Sequence, residues 1–183
     1  REEAVDKLRA EGLDVFGVAL DVTDDTSVAA AAAQLEAEGG LDVLVNNAAI
    51  TGGMPQEPSV VTPEQVLGVV DTNVVGVIRV TNAMLPMLRR AASPRIVNVS
   101  STVGSLTHQT AQAEAVGPIS AAYSPSKTFL NAVTIQYAKE LAGTGVLVNA
   151  GCPGFVATDL NGHRGTRTPE QGAAVFLELA TLP

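Results

Sequence analysis

Apolar and polar positions change their spacing several times along this chain, and each change marks an element. Val5 and Leu8 among charges in residues 1–14 read as the end of a helix that closes at Gly12. Residues 15–20 form an apolar run that reads as a strand, ending in the turn residues Asp21-Val22-Thr23-Asp24. Thr23, Asp24 or Asp25 then caps a helix with Val28, Ala32 and Leu35 on one face, stopped by Gly39-Gly40. Residues 41–45 make a buried strand running into Asn46-Asn47-Ala48-Ala49. After a loop holding Gly52, Gly53, Pro55 and Pro58, Pro63 opens a long helix. Its stripe Val66, Val70, Asn73, Val77, Val80, Met84, Leu88 carries one polar intruder, Asn73. Residues 95–99 are the next strand, closing at Ser100-Ser101, and residues 102–120 show no period. Residues 123–142 are helical, with Phe129, Leu130, Val133 and Tyr137 on one side. A strand at 145–150, a loop rich in Gly, Pro and Thr, and a helix from Pro169 complete the pattern.

Strands alternating with helices of this length predict an α/β fold: a doubly wound parallel sheet in a three-layer α/β/α arrangement, one domain over residues 1–183. The 11 Lys+Arg against 19 Asp+Glu give a net charge of −8, which argues against nucleic acid or an anionic membrane as partner. Two Tyr, four Phe and no Trp leave few platforms for stacking bases. One cysteine, Cys152, excludes an internal disulfide and any multi-thiolate metal site, and it reads as a small buried residue. His108 and His163 show no metal-ligand spacing, so no metal site is expected. No uninterrupted apolar run reaches about 18 residues, so no transmembrane helix is expected, and the chain is expected in the cytoplasm.

In parallel sheets of this kind, ligands sit beyond the carboxyl ends of the strands. The residues there are Asp21, Asn46-Asn47, Ser100-Ser101 and Cys152-Pro153-Gly154. Tyr123 and Lys127 stand one helical turn apart on one face. A free phenol titrates near pH 10, and lowering that by about 3 units needs roughly 4 kcal/mol. An ammonium about 4 Å away supplies roughly 4 kcal/mol at an effective dielectric near 20. Taken singly, these residues have plainer readings: an interfacial tyrosine, a solvated lysine, a turn serine at Ser101, an amide at Asn73 satisfying a neighbouring backbone. No G-x-S-x-G elbow supports a Ser-His-Asp hydrolase, and Ser124-x-x-Lys127 lacks the companion motifs of penicillin-recognising enzymes.

Six motifs taken together say more. Asp21-Val22-Thr23-Asp24, Asn46-Asn47-Ala48-Ala49, Asn73-Val74-Val75-Gly76, Asn98-Val99-Ser100-Ser101, Tyr123-Ser124-Pro125-Ser126-Lys127 and Pro153-Gly154-Phe155-Val156-Ala157-Thr158-Asp159 occur in that order over nearly the whole chain. In this the sequence resembles the short-chain dehydrogenase/reductase family, in its single-domain, Rossmann-like branch. The resemblance implies NAD(P)H-dependent reduction of a carbonyl (aldehyde, ketone or quinone) to an alcohol, or the reverse. Tyr123 would be the proton donor or acceptor, and Lys127 would lower its pKa and hold the nicotinamide ribose. Ser101 would orient the carbonyl, and Asn73 would hold a water in a proton relay. Asp21 and Val22 would contact adenine, and Asn47, Ala48 and Ala49 would line the adenosine side. Pro153, Gly154, Val156 and Thr158 would cradle the carboxamide.

The departures carry expectations of their own. The family's glycine-rich turn is absent, so the chain reads as truncated at both ends, lacking the first βαβ unit. Strands 1 and 2 of the family's sheet would then leave roughly 14 Å between residues 15–20 and 43–46. Such a piece is expected to be weakly stable and to bind cofactor poorly, or to serve as an inert reductase-fold scaffold. Ala49 replaces a frequent glycine, a mild change if its φ is negative. Ser101 to Tyr123 is longer than the family's usual spacing. The extra residues, 106–117, resemble the insertion of the monomeric carbonyl-reductase branch, which implies NADP(H) in preference to NAD(H) and a monomer, with a homo-oligomer as the alternative. Residues 161–165 would cap the substrate pocket.

Overall fold

The computed structural model describes residues 2–111 and 119–183. Its elements are α1 (Glu2–Ala10), α2 (Asp25–Ala37), β1 (Val43–Asn46), α3 (Pro63–Val70), α4 (Gly76–Leu88), β2 (Arg95–Val99), α5 (Leu106–Ala111), α6 (Tyr123–Glu140), β3 (Leu147–Gly151) and α7 (Pro169–Ala180). The three strands pair in parallel in the order β1-β2-β3, with Leu44, Ile96 and Val148 in register. Those three residues point to one face, where they join Val28 of α2, Met84 and Leu88 of α4, Tyr137 of α6 and Leu141 just after it. Side chains alternate along a strand, so Gly151 belongs to the opposite face from Val148. There Phe176 and Leu179 of α7 cover it. Helices on both faces of a parallel sheet are the three layers expected.

The helix boundaries follow local chemistry. Asp24 caps α2 by accepting from the Thr26 N–H. Thr62 with Gln65, and Thr168 with Gln171, form reciprocal capping boxes ahead of Pro63 and Pro169. α3 and α4 are joined by a π-helical turn, Asp71–Val75, so helix runs from Pro63 to Leu88. The extra residue in that turn rotates the upstream face, and Val69 is fully buried while Val66 and Val70 are only half-buried. This 26-residue stretch is apolar enough by composition to cross a bilayer. Here its Val74, Val77, Val80, Met84 and Leu88 are core residues.

Two expectations need correction. Residues 15–20 form no strand: a strand exists by its ladder, and no strand among the described residues pairs with them. Arg9 Nε donates to the Val15 carbonyl at 3.0 Å, and Phe16 and Leu20 stay exposed. Phe129 is 50% exposed and does not join Leu130 and Tyr137 in the core. The inner face of α6 is instead partly polar, built from Ser124, Ser126, Lys127 and Thr134.

A polar ladder crosses the sheet beneath its carboxyl edge. Asn46 and Asn98 are register partners, and Asn46 Nδ2 donates to Asn98 Oδ1 at 2.9 Å and to Thr81 Oγ1 at 3.2 Å. Asn98 Nδ2 donates in turn to Thr134 Oγ1 at 2.9 Å. Every member is buried and bonded, which a core amide requires.

Candidate active site

The parallel strands bring the ends of β1, β2 and β3 to one edge of the sheet, and α6 starts beside that edge. Tyr123 is the first residue of α6, and Lys127 follows one turn later. Lys127 is 2% exposed, so the reading as a solvated lysine fails. Its Nζ lies 5.6 Å from the centroid of the Tyr123 ring and donates to the Val99 carbonyl, the last of β2, at 2.8 Å. The phenol and the ammonium thus face the same strand end.

Their protonation differs from the sequence expectation. Burial pushes the Tyr123 phenol above its ordinary value, negative charge at Cys152 would raise it further, and only the Ser101 hydroxyl pulls it down. Burial also pulls the Lys127 ammonium down to about 8, against an opposing pull from Cys152. Loss of solvation leads the causes for both groups, because a group this deep is stabilised in its neutral form.

Ser101 follows β2 and caps the short turn Thr102–Gly104, with its Oγ accepting from the Val103 N–H at 3.4 Å. The turn serine and the site serine are the same residue. Ser100 is buried and bonds Asn131 Oδ1 at 2.6 Å, leaving Ser101 as the member of the pair facing Tyr123. Gly104 makes this approach possible. A Cβ there would sit 2.8 Å from the Lys127 carbonyl carbon and 3.0 Å from Asn131 Nδ2.

Asn73 lies in the π turn and is 1% exposed. Its Oδ1 accepts from the Ile50 N–H at 2.8 Å. Its Nδ2 donates to the Ile50 carbonyl at 2.9 Å and to Ser126 Oγ at 3.0 Å. Ser126 in turn donates to the Tyr123 carbonyl at 2.6 Å. Both amide hydrogens are therefore spent on protein partners, and the side chain clamps the loop after β1 to α6.

Of the remaining sequence candidates, those that follow β1 and β3 lie at the same edge. Asn47 and Ala48 are exposed just past β1, Ala49 is half-buried, and its φ is not positive, which explains why alanine is accommodated. Pro153, Val156 and Thr158 are half-buried past β3, and Gly154 is exposed. Thr158 pairs with Asn161 in a capping box, and Arg167 donates to the Pro153 carbonyl at 2.9 Å. The loop 161–165 is folded back by His163, which meets Asp159 at 2.9 Å. Asp21 accepts from the Thr23 N–H at 2.9 Å and its hydroxyl at 2.7 Å. Val22 is held by Arg79, which donates to its carbonyl at 2.7 Å and pairs with Asp25 and Asp71. Asp21 also lines an open hollow of about 870 Å³ with Glu2, Glu3, Leu20 and Ser27, away from Tyr123.

Sequence reasoning missed two residues here. Cys152, expected to be buried, is half-buried, and its Sγ accepts from the Gly154 N–H at 3.4 Å. Gln56, in the aperiodic loop after β1, is buried against Tyr123. The expected insertion at 106–117 is in part α5; residues 112–117 lie outside the described residues.

Comparison with known proteins gives a consistent answer. The family model for short chain dehydrogenases matches residues 1–168. The chain is 32% identical to Short-chain dehydrogenase/reductase 1 of Saponaria officinalis, over 99% of this chain and 78% of that protein. It spans a smaller share of other curated relatives, 55% to 67%. Among solved structures it is similar to salutaridine reductase from Papaver somniferum, with a TM-score of 0.83 and 29% identity over 100% of this chain and 83% of that one. It is likewise similar to NADPH-bound carbonyl reductase from chicken fatty liver, with a TM-score of 0.81 and 28% identity over 98% and 75% of the two chains.

Proposed function

The chain belongs to the short-chain dehydrogenase family, and on that premise we propose that it carries the carbonyl-reducing half of an NAD(P)H-dependent oxidoreductase, with Tyr123 as the proton donor. The observation that carries the reading is the buried Lys127, 5.6 Å from the Tyr123 ring and opposite the end of β2. A cation placed there without a carboxylate partner among the described residues is costly for a structural role and suits a polar ligand that brings acceptors. Asn47 and Ala48 past β1 and Gly154 past β3 are exposed at the same sheet edge, where a nicotinamide and its ribose would lie.

When bound, a reduced nicotinamide supplies the hydride. Lys127 and Tyr123 would hold the ribose hydroxyls, Pro153, Gly154, Val156 and Thr158 the carboxamide, and Asp21, Val22, Asn47, Ala48 and Ala49 the adenosine end. Ser101 orients the substrate carbonyl, and Tyr123 Oη passes its proton to the carbonyl oxygen. Because burial raises the phenol, it is protonated at neutral pH, the form needed for reduction. Removal of that proton in the opposite direction would draw on Lys127 and on the positive charge of an oxidised nicotinamide. Asn73 acts through Ile50 and Ser126 and is a positioning residue. A preference for NADP(H) has its support in the NADPH-bound carbonyl reductase neighbour.

The test supplies NADPH or NADH with a panel of aldehydes, ketones and quinones, and follows the loss of reduced-nicotinamide absorbance. Tyr123→Phe is expected to lower turnover by about 100-fold or more while cofactor affinity changes little. A Tyr123→Phe protein with the wild-type rate would remove the proton-donor assignment.

A further inference from the structure

The leading N–H groups of a helix need partners, and a buried helix end without them is destabilised. Ala122, at the head of α6, offers no side chain for this. A partner comes instead from Gln56, 67 residues before Tyr123 and 2% exposed. Its Oε1 accepts from the Tyr123 N–H at 3.3 Å and from Ser120 Oγ at 2.6 Å. Its Nε2 donates to the Gly53 carbonyl at 2.7 Å and to the Thr51 carbonyl. The Gln56 backbone carbonyl accepts from the Ala121 N–H at 2.9 Å. One amide plane thus holds two carbonyls of the loop after β1 with its hydrogens and meets Ser120 and the first residue of α6 with its lone pairs. The loop has little room to move in turn. Gly52 holds φ +86°, and a Cβ there would lie 2.4 Å from Val69 Cγ2 of α3.

We propose that Gln56 is a positioning residue for Tyr123: its side chain supplies the cap that α6 lacks and fixes where the phenol stands over the strand ends. The first residue of a helix is where fraying is greatest. Tyr123 occupies that position, while Lys127 and Ser126 are anchored a turn deeper by Val99 and Asn73. Loss of the Gln56 bonds would therefore shift Tyr123 against groups that stay in place. Displacement of a reacting group by about 1 Å can cost about 100-fold in rate. This inference rests on Tyr123 being the proton donor.

The experiment uses Gln56→Met, matched in length but without donors or acceptors, in a Tyr137→Phe background. The chain has two tyrosines and no tryptophan, so tyrosinate absorbance then reports Tyr123 alone. The titration midpoint is expected to fall from its raised value toward the ordinary phenol value near 10 as water reaches the frayed turn. Alongside it, kcat is expected to drop about tenfold or more, with the KM for the nicotinamide cofactor within about twofold of wild type. Gln56→Asn, one methylene shorter, weakens the reach to Ser120 and Tyr123 and is expected to move both readouts the same way. A folded variant with the wild-type midpoint and kcat overturns the proposal. Loss of cooperative melting in both variants overturns it too, since the amide would then hold the fold and not one residue. Should Tyr123→Phe leave turnover intact, the proton-donor reading falls, while the absorbance titration still decides whether Gln56 sets the environment of the phenol.

Discussion

Replacing Lys127 by methionine separates what the buried ammonium does for chemistry from what it costs the fold. In the unfolded chain this lysine titrates near 10.5; in the folded protein burial pulls it to about 8. Between those values the unfolded chain holds a proton that the folded protein has released, so stability rises with pH across that window. Below pH 8 both states are charged and the whole penalty is present. At about 1.4 kcal/mol per pH unit, the gap amounts to roughly 3 kcal/mol. Methionine removes that penalty together with the bond from Nζ to the Val99 carbonyl, whose loss costs about 1 kcal/mol. Lys127→Met is therefore expected to be about 2 kcal/mol more stable than wild type at about pH 6.5, and about equal to it by about pH 9.5. The raised phenol of Tyr123 stays protonated over this range in both proteins and cancels in the difference. Urea midpoints followed by circular dichroism at several pH values give the comparison. An offset that does not change with pH would refute the reasoning, because Lys127 would then not be a depressed titrating group.

Three further outcomes follow from the same site. Asn73→Ala leaves the Ile50 N–H and carbonyl without their partner and is expected to cost about 2 kcal/mol in urea unfolding; a cost near zero would mean that the loop after β1 is held by other contacts. Gly104→Ala drives a Cβ into the Lys127 backbone, with an expected cost of about 1–3 kcal/mol and a fall in kcat as Ser101 moves. A wild-type melting temperature and rate in that variant would show the approach to be slack. Arg79→Met frees Val22 from α4 and is expected to weaken nicotinamide-cofactor binding about fivefold, the equivalent of about 1 kcal/mol, in a fluorescence titration. Unchanged affinity there would detach the turn at Asp21 from the cofactor.

What the sequence made legible was local or periodic. Tyr123 and Lys127 are joined by one helical turn, so their shared face could be read without knowing anything else about the fold. The strands at 43–46, 95–99 and 147–151 announce themselves by short β-branched runs between turn residues. What stayed hidden depends on partners far along the chain. Residues 15–20 have the composition of a strand, yet pairing decides the matter, and no ladder reaches them. Asn73 was visible as a polar break in an apolar stripe, but the π turn that aims it at Ile50 and Ser126 leaves no compositional trace. Gln56 sits in a loop with no period, and its partners Ser120 and Tyr123 are 64 and 67 residues away. The depth of Lys127 was likewise unreadable, and with it the balance that raises the phenol instead of lowering it.

The asparagine ladder from Asn46 through Asn98 to Thr134 works as a ruler for the catalytic edge. Two strands held by apolar contacts alone could slide past each other and still bury oil against oil. Two amides that must meet head-on permit one alignment, because a slip of one residue turns Asn98 toward the opposite face. Such a slip would also carry Ser101 or Asn47 along the strand by about 3.3 Å. The height at which each loop leaves the sheet is thus measured out within the core, before any loop residue touches a substrate.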